Sequence, residues 1–413
     1  MDAQTMIPKV LVLTKLFWPE GGGAELATYL IVKNVLSKSF DVVVVSGTRR
    51  PKPDVLRTAS YIQWSALESR YKPVEWLMLL TNTRYIRKLV EKADIVYIPS
   101  HTLMPMAIIA KLMKPSVKVV LHLHNYQALT YTSIVLGDRK PDATTDIIIE
   151  YREHGSLLRA LLVGLGHHAN FVNRHSTRYA DKIICVSQKQ RKILLKHMPE
   201  LRDKMVVIYN PPPPIPNVDK GGTKEPMLIY PGGESYVKGF RLVLEALAKV
   251  LKKHECKVYV FFGRDASSRE NLQLKGLCRR LDDRLMVLGR LPYEEYLKLH
   301  ENAWGLLLPS MSEEPLPYAF VESMLIGTIP IAARVGGVPE IARNSPAEGY
   351  LFMPGNVNEL ADKVEALLSL SREEIVDAAM KLREHALELF NEERIEYKIT
   401  ALFNFLASWG NPK

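Results

Sequence analysis

Cysteine is scarce in this sequence: Cys185, Cys256 and Cys278 are scattered and show no metal-ligand spacing. Such sparse cysteine fits a reduced, cytosolic compartment. The sequence also has no apolar run of the roughly 18 residues that a transmembrane helix needs. Its start, MDAQTMIPK, lacks a signal-peptide pattern. We therefore expect a cytoplasmic protein whose only membrane contact would be peripheral, on the inner face.

Length and composition indicate a globular chain of two or three domains, because 413 residues can fill more than one core. Hydrophobic residues make up 47% and charged residues 24%, which excludes a disordered chain. The net charge of +10 favours nucleotide phosphates, acidic lipid or nucleic acid as partners, with solubility alone as the alternative explanation. The basic residues form no block with interleaved aromatics, so nucleic acid is not expected.

Short runs rich in valine and isoleucine alternate with stretches of helical period, a pattern typical of βαβ units and parallel sheets. The predicted strands are VLVLT, DVVVVS, IVYIP, VKVVLHLH and KIICVS, followed later by MLIYPG, KVYVFFG, LMVLG, WGLLLPS and TIPIAA. We expect an α/β fold with two Rossmann-like, doubly wound domains that face a cleft. Ligands bind such sheets at the carboxyl ends of the strands, so the chemistry is expected in the loops that follow strands.

A proline-rich segment, residues 210–226, separates the two halves. Its six prolines exclude both a helix and a central strand, which makes it the predicted linker. We expect the first Rossmann-like domain over residues 1–209 and the second over residues 227–390. Residues 391–413 are predicted to form a terminal helix that packs back on the first domain.

Two carboxylates, Glu314 and Glu322, flank seven mostly apolar residues just after a predicted strand. Pro317 suits the first position of the next helix, which places Glu314 in the cleft loop and Glu322 inside the helix. The N–H groups of residues 318–320 would attract an anion. The carboxylates would accept hydrogen bonds from ribose or hexose hydroxyl groups. The alternative is that both glutamates only cap or solubilise the helix start.

Two glycine-rich loops follow predicted strands and could present backbone N–H groups to phosphate. GGG at residues 21–23 opens a helix, and YPGGESYVKGF places Lys238 shortly after a Gly-Gly turn. The first loop is not GxGxxG and no acidic residue closes an obvious second strand, so a nicotinamide site is disfavoured. A solvated surface lysine is the alternative for Lys238.

A histidine pair, His122 and His124, stands at the end of the fourth predicted strand, with both side chains on one side. The pair could bind a metal, belong to the core, or combine one active-site residue with one buried residue. No carboxylate or cysteine cluster lies nearby in sequence, so we expect no metal site and no cofactor.

These motifs together resemble the retaining glycosyltransferases of the GT-B fold, family four (glycosyl transferases group 1). The segment PSMSEEPLPYAFVESMLIGTIPIAARVGGVPEI resembles the donor-site signature of that family, including its Gly-Gly-x-Pro-Glu end. WPEGGGAELATYL, HLHNYQ, ADKIICVS, VVIYNP and YPGGESYVKGF resemble further family motifs in the same order. The resemblance covers most of the chain. It implies an acceptor-side first domain and a second domain that binds a nucleotide-sugar donor.

The resemblance also implies a role for each matching residue. Glu314 would contact the transferred sugar, Lys238 would neutralise the diphosphate and His124 would line the sugar site, so these three are the predicted catalytic residues. Glu322 would hold the donor ribose. The predicted donor-binding residues are Gly22, Gly23, Gly232, Gly233, Lys238, Gly263, Gly289, Arg290, Leu316, Pro317, Tyr318, Ala319 and Glu322.

Two positions depart from the pattern of that family. An arginine usually stands where this chain has Gly233, so one cation at the diphosphate is missing unless Arg264 or Arg290 reaches the site. A glycine usually follows the first glutamate where this chain has Pro317, which removes a backbone donor near the sugar. The sequence also lacks the Asp-x-Asp of metal-dependent transferases of the other main fold.

The expected activity is transfer of a hexosyl group from a nucleoside diphosphate sugar, a co-substrate, to an acceptor with retention at the anomeric carbon. Residues 70–92, read as one basic helix, and residues 156–179 could contact an anionic membrane, so a lipid-linked or membrane-presented acceptor is expected. Ordinary core packing is the alternative for both segments. Two other functions stay open: a nucleotide-sugar epimerase or hydrolase of the same fold, and a non-catalytic sugar-nucleotide-binding protein.

Overall fold

Two parallel β-sheets, one in each half of the chain, organise the protein. The computed structural model describes residues 7–68, 72–216, 218, 220, 225–261, 284–289 and 291–408. The first sheet contains β1 (Lys9–Thr14), β2 (Asp41–Ser46), β3 (Ser60–Gln63), β4 (Ile95–Ile98), β5 (Lys118–Leu123), β6 (Lys182–Cys185) and β7 (Met205–Val207). The second contains β8 (Met227–Tyr230), β9 (Lys257–Phe261), β10 (Leu285–Leu288), β11 (Gly305–Leu308), β12 (Ile329–Ala333) and β13 (Leu351–Phe352).

The two sheets share one strand order. It is β3-β2-β1-β4-β5-β6-β7 in the first sheet and β10-β9-β8-β11-β12-β13 in the second. The neighbouring strands pair in parallel, for example Val10 with both Val42 and Ile95. In each sheet the order reverses beside the first strand, which opens a crevice at the carboxyl ends of β1 and β4, and of β8 and β11. The expected fold of two Rossmann-like domains is confirmed.

Three strands were not predicted from the sequence, and all three are short strands at a sheet edge. They are Ser60–Gln63, Met205–Val207 and Leu351–Phe352. The residues of β3 are exposed or half-buried, so that strand has no continuous apolar run. One consequence is a correction: His124 follows the fifth strand of its domain, β5, and not the fourth.

Helices pack on both faces of each sheet. The first half contains α1 (Gly23–Ile31), α2 (Lys72–Thr81), α3 (Thr83–Lys92), α4 (Met106–Met113), α5 (Ala143–His154), α6 (Leu157–Ala169), α7 (Phe171–Ser176) and α8 (Gln188–His197). The second half contains α9 (Phe240–Val250), α10 (Tyr293–Leu299), α11 (Tyr318–Ile326), α12 (Val338–Ala342), α13 (Val357–Leu368), α14 (Arg372–Leu389) and α15 (Glu392–Ser408). The prediction of one helix over residues 70–92 was wrong, because α2 and α3 are separate helices that meet at Asn82.

The last helix, α15, returns to the first domain. The Phe403 ring packs 5.9 Å from Phe40 and 5.6 Å from Tyr97, measured between ring centroids. Lys38 and Glu396 form an ion pair of 2.7 Å on the same contact. The two domains are therefore connected both by the proline-rich segment and by this helix. None of the helices in the described part of the chain combines the length and apolar character needed to cross a bilayer.

Lys220, which lies in the predicted linker, anchors that segment to the second domain. Its ammonium group donates to the Ala303 carbonyl at 2.9 Å, to Thr328 Oγ1 at 2.8 Å and to the His300 carbonyl. The side chain is almost fully buried, and burial lowers the pKa of Lys220 to about 7. Carbonyl and hydroxyl acceptors thus replace the water that a lysine normally binds.

Candidate active site

A cavity of about 1080 Å³ lies between the two sheets and is lined by both domains. It opens at the carboxyl ends of the strands, where ligands bind in sheets of this order. Most of the residues predicted to form the site line this one cavity. They are Gly22, Gly23, His124, Gly232, Gly233, Lys238, Glu314, Leu316, Pro317, Tyr318, Ala319 and Glu322.

Three predicted donor-binding residues are not among the cavity-lining residues. Gly289 is exposed just past β10 and does not line the cavity. The next described residues, Leu291 and Pro292, do line it. Gly263 and Arg290 lie outside the described residues, as does Arg264. The structure therefore does not test whether Arg264 or Arg290 supplies the cation that the related family has at the position of Gly233. Within the described lining of the cavity, the lysines are Lys52 and Lys238 and there is no arginine.

Lys238 and Glu314 meet across the second-domain wall of the cavity. Lys238 Nζ lies 2.5 Å from Glu314 Oε1, and Ser310 Oγ donates to the same oxygen at 3.1 Å. The loops that carry them follow β8 and β11, which are neighbours in the sheet. Lys238 is followed by Gly239, whose φ is +76° and whose added Cβ would lie 2.0 Å from the Pro309 carbonyl oxygen. Glycine is required there, so the loop holds Lys238 close to the end of β11.

The Gly-Gly-x-Pro-Glu segment holds the loop that carries Glu314. The Gly337 N–H donates to the Glu314 carbonyl at 2.8 Å, and the Gly336 N–H donates to Glu313 Oε2 at 2.5 Å. Gly336 has a φ of +52°, and an added Cβ would lie 1.7 Å from the Glu314 carbonyl oxygen. Burial raises the pKa of Glu313, whose carboxylate accepts the hydrogen bond from the Gly336 N–H. The two glycines thus fix the backbone from which Glu314 reaches the cavity.

Glu322 is buried on α11 and is held by a tyrosine that sequence reasoning missed. Its side chain reaches the cavity wall, yet the residue is only 4% exposed. Burial raises the pKa of Glu322 to about 7, and the hydrogen bond that Tyr293 OH donates to Glu322 Oε1 at 2.7 Å opposes that rise. The Tyr293 ring in turn packs edge-on against Trp18 of the first domain, with 5.3 Å between centroids. A carboxylate held in this way can accept hydrogen bonds from hydroxyl groups.

The start of α11 differs by one residue from the prediction. Pro317 is the N-cap, with a φ of −73° and a ψ of 114°, and Tyr318 is the first helical residue. The Phe320 N–H donates to the Pro317 carbonyl at 3.0 Å, so it does not point into the cavity as expected. Tyr318 and Ala319 remain as the first-turn residues that line the cavity. A helix start favours an anion through these N–H groups and the helix dipole.

The glycine loop of the first domain approaches the second domain closely. An added Cβ on Gly23 would lie 2.9 Å from the Tyr318 ring, so a larger residue would push the domains apart. Gly22 faces open space in the cavity, but its N–H donates to Glu25 Oε2 at 2.8 Å. Gly22 thus leaves room for a ligand while its own N–H is engaged within the loop.

The two histidines play different structural roles. His122 is buried, and its Nδ1 lies 2.7 Å from Tyr97 OH. His124 lines the cavity, where its Nδ1 lies 3.5 Å from Asn210 Nδ2. Burial lowers the pKa of His124 to about 4, so the ring is neutral at pH 7. The described residues contain no group of three or more histidine, cysteine, aspartate or glutamate side chains placed to hold a metal ion.

Both described lysines of the cavity are paired with glutamates. Lys52 of the first domain lies 3.4 Å from Glu294 of the second, and Lys238 pairs with Glu314 as described above. The charges of these two ion pairs therefore cancel within the described lining of the cavity. An anionic ligand at Lys238 would have to take the place of Glu314.

Glu340 joins the two domains outside the cavity. Its carboxylate accepts from the Gln188 and Lys189 N–H groups at 3.0 Å each, at the start of α8 in the first domain. It also accepts from Tyr209 OH at 3.0 Å, and burial, together with the nearby charge of Glu340, raises the pKa of that tyrosine. An acidic residue at a helix start is stabilised by the exposed N–H groups and the dipole. Glu340, the last residue of the Gly-Gly-x-Pro-Glu segment, thus connects the two domains.

Two family models match the chain. The model described as Glycosyltransferase Family 4 matches residues 21–212, and the model described as Glycosyl transferases group 1 matches residues 215–386. The boundary between the two matches lies within the proline-rich segment.

Two curated proteins illustrate the similarity in sequence. The chain is 23% identical over 332 residues to the amylovoran biosynthesis glycosyltransferase AmsK of Erwinia amylovora, across 73% of this chain and 81% of AmsK. It is 30% identical over 161 residues to an uncharacterized glycosyltransferase of Methanocaldococcus jannaschii, across 38% of this chain and 40% of that protein. The second match thus spans less than half of either protein.

Solved structures are similar over nearly the whole chain. Sucrose-phosphate synthase from Thermosynechococcus elongatus superposes with a TM-score of 0.72 at 16% identity, covering 97% of this chain and 99% of the other. HepE of Anabaena, solved in complex with UDP and glucose, gives a TM-score of 0.66 at 17% identity, covering 96% and 99%. At these identities the similarity concerns the fold and includes both domains.

Proposed function

Because the chain belongs to the group 1 glycosyltransferases of the GT-B fold, we propose that it transfers a hexosyl group from a nucleoside diphosphate sugar to an acceptor. The transfer retains the configuration at the anomeric carbon and uses no metal ion. The observation that carries this proposal is the convergence of Lys238, Glu314, Glu322 and the α11 start on one interdomain cavity. These are the groups that a diphosphate, a hexose and a ribose require.

The donor lies with its diphosphate at Lys238 and at the first-turn N–H groups of α11. Glu322 accepts hydrogen bonds from the ribose hydroxyls, and Tyr293 keeps its carboxylate in place. Glu314 turns from Lys238 toward the hydroxyl groups of the hexose as the diphosphate binds. After this exchange Lys238 contacts the phosphate oxygens and Glu314 accepts hydrogen bonds from the hexose hydroxyl groups. Since HepE was solved with UDP and glucose, a uridine diphosphate hexose is the first donor to test.

The reaction breaks the bond between the anomeric carbon and the diphosphate oxygen, and the diphosphate keeps the electron pair. The acceptor hydroxyl oxygen forms the new bond on the same face of the ring, and its proton passes to the departing diphosphate. Negative charge grows on the diphosphate, where Lys238 and the helix start stabilise it. His124, on the first-domain wall, contacts the sugar as a neutral ring. No enzymic nucleophile is assigned.

The acceptor approaches from the first domain and is lipid-linked or membrane-presented. The net charge of +10 and the basic, apolar segments of that domain support this part of the proposal. The reaction then takes place on the cytoplasmic side, with the protein bound peripherally to the membrane surface.

A screen of nucleotide sugars for thermal stabilisation, followed by mass spectrometry of products formed with membrane extracts, tests this function. We expect one class of nucleoside diphosphate sugar to raise the melting temperature, and an acceptor to gain one hexosyl group as the nucleoside diphosphate is released. Release of nucleotide without any acceptor would instead indicate an epimerase or hydrolase. Stabilisation without turnover would indicate a binding protein.

A further inference from the structure

Helix α6 packs against the protein through its small residues and exposes its large ones. Ala160 is fully buried, and an added Cβ on Gly164 would lie 2.5 Å from the Ile147 side chain of α5. An amphipathic helix of a globular protein normally turns its leucines toward the core. The opposite arrangement here calls for a partner on the outer face.

The outer face of α6 is a row of leucines at helical spacing, which we call the leucine face. Their exposed fractions lie between 48% and 72%, and they form two adjacent rows with a spacing of four residues within each row. A contiguous exposed apolar face of this kind marks a site for a protein or a membrane. The leucine face consists of Leu157, Leu158, Leu161, Leu162 and Leu165.

The charge around the leucine face indicates which partner fits. The sequence contains no aspartate or glutamate from residue 154 to residue 180, whereas it contains Arg159, Arg174 and Arg178. Glutamates outside this stretch pair with two of the arginines, Glu150 with Arg159 and Glu200 with Arg178. Arg174 and Arg178 are exposed, on and just after α7. A second copy of the chain would bring two such stretches together, which the like charges of their arginines oppose. A bilayer with acidic headgroups offers hydrocarbon to the leucines and negative charge to the arginines.

The leucine face begins beside the candidate active site. Glu153, at the end of α5, accepts from the Val237 N–H at 3.3 Å, and Val237 precedes Lys238. The neighbouring Arg152 guanidinium lies 5.8 Å above the centroid of the Tyr236 ring. The first exposed leucine follows Glu153 by four residues. A surface covering α6 would therefore lie next to the mouth of the cavity.

We propose that the leucine face of α6, together with Arg174 and Arg178, docks the protein on an anionic lipid bilayer. The docked orientation brings the cavity within reach of an acceptor that remains in the membrane, a consequence that rests on the proposed transfer reaction. The leucines enter the interface between headgroups and acyl chains, while the arginines contact the headgroups. Because the attraction is partly electrostatic, binding weakens as salt rises.

Vesicle flotation tests the proposal directly. The full chain is mixed with vesicles of phosphatidylcholine alone or with phosphatidylglycerol added, at low and at high salt. We expect binding to the anionic vesicles only, and weaker binding at high salt. The triple variant Leu158→Gln, Leu162→Gln, Leu165→Gln should lower the partition coefficient about tenfold or more. The triple variant Met380→Gln, Leu387→Gln, Tyr397→Gln is the matched control, because those side chains are equally exposed on α14 and α15, and it should bind like the parent.

The proposal is overturned if the parent ignores anionic vesicles at low salt, or if the leucine variant binds as well as the parent. It is also overturned if sedimentation shows that the parent is a dimer and the leucine variant is a monomer, since a second copy would then cover this face. Nucleotide-sugar affinity, measured without vesicles, separates the two proposals. Vesicle binding without nucleotide-sugar affinity would leave the docking surface standing and contradict the proposed transfer. The converse result would contradict the docking surface alone.

Discussion

Lys238 Nζ contacts Glu314 Oε1 at 2.5 Å, so the predicted diphosphate-binding cation is paired with the predicted sugar-binding carboxylate. The pair is only partly buried, with 43% of the lysine side chain and 16% of the glutamate side chain exposed. Because the lysine side of the pair is open to water, the ion pair contributes only modest stability, and a charged ligand can separate its members. A donor that binds as proposed would therefore replace the contact between two groups that already hold each other in place.

This pairing predicts that Lys238→Ala slows transfer more than it weakens donor binding. Binding the ground-state diphosphate gives up the bond to Glu314, which offsets part of what Lys238 gains. In the transition state the leaving-group charge is larger, and we expect kcat to fall about 100-fold. Steady-state kinetics with calorimetric donor titration measure the two effects separately. Lys52→Ala, the other lysine of the described lining, is the control. A kcat within about twofold of the parent would remove Lys238 from the mechanism.

The Tyr293–Glu322 hydrogen bond predicts a pH dependence of donor binding. Burial raises the pKa of Glu322 to about 7, and only the ionised carboxylate accepts two ribose hydroxyl bonds. Donor affinity should therefore fall as the pH drops below about 7. Tyr293→Phe removes the bond that lowers this pKa, so the midpoint should move upward, by about half a pH unit to one unit. Titration calorimetry across the pH range measures it, with Tyr397→Phe as the exposed control. A midpoint that stays in place or becomes more acidic would contradict the assignment.

The contact of Glu340 with the start of α8 predicts an effect on stability. Glu340→Ala leaves the Gln188 and Lys189 N–H groups and Tyr209 OH without that acceptor. We expect the free energy of unfolding to drop by about 1–2 kcal/mol. Urea unfolding followed by tryptophan fluorescence measures the change, and Glu384→Ala, at an exposed position of α14, controls for loss of a surface charge. Equal midpoints for the two variants would show that the contact is not a stabilising one.

The mechanism predicts activity in the presence of a chelator. In the proposed mechanism, Lys238 and the start of α11 supply the positive charge at the diphosphate, and neither requires a metal ion. Transfer rates measured with and without excess chelator should agree. Loss of activity that magnesium or manganese restores would show that the diphosphate is neutralised in another way.

The fold was predictable from sequence because its central strands are buried on both faces. Continuous apolar runs of this kind are typical of strands in a buried parallel sheet, and they occur at Val42 to Val45 and at Ile95 to Ile98. The strand Ser60–Gln63 was missed because half-buried and exposed residues carry no such run. The helix break at Asn82 was missed because the apolar pattern continues on both sides of it.

The candidate site was predictable only where residue type indicates chemistry. Lys238, Glu314 and Glu322 stand in loops or helix starts after strands, and the cavity gathers them as expected. Tyr293 gave no such signal, since its role depends on the fold bringing the start of α10 against α11. Only its position shortly after the strand Leu285–Leu288 points toward the ligand-binding edge of the sheet. The interdomain contact of Glu340 likewise exists only once the two domains are packed together.

The measurement that tests the central claim most directly is calorimetric titration of nucleoside diphosphate sugars into the parent and into Glu322→Gln. The amide keeps an oxygen for Tyr293 but removes the charge that would hold the ribose. The parent should bind one nucleotide class, and the variant, still folded, should lose about 1.5–3 kcal/mol of that binding. Glu365→Ala, in an exposed ion pair on α13, should bind as the parent does. If Glu322→Gln binds the same nucleotide sugar with unchanged affinity, the cavity does not hold the donor in the way proposed.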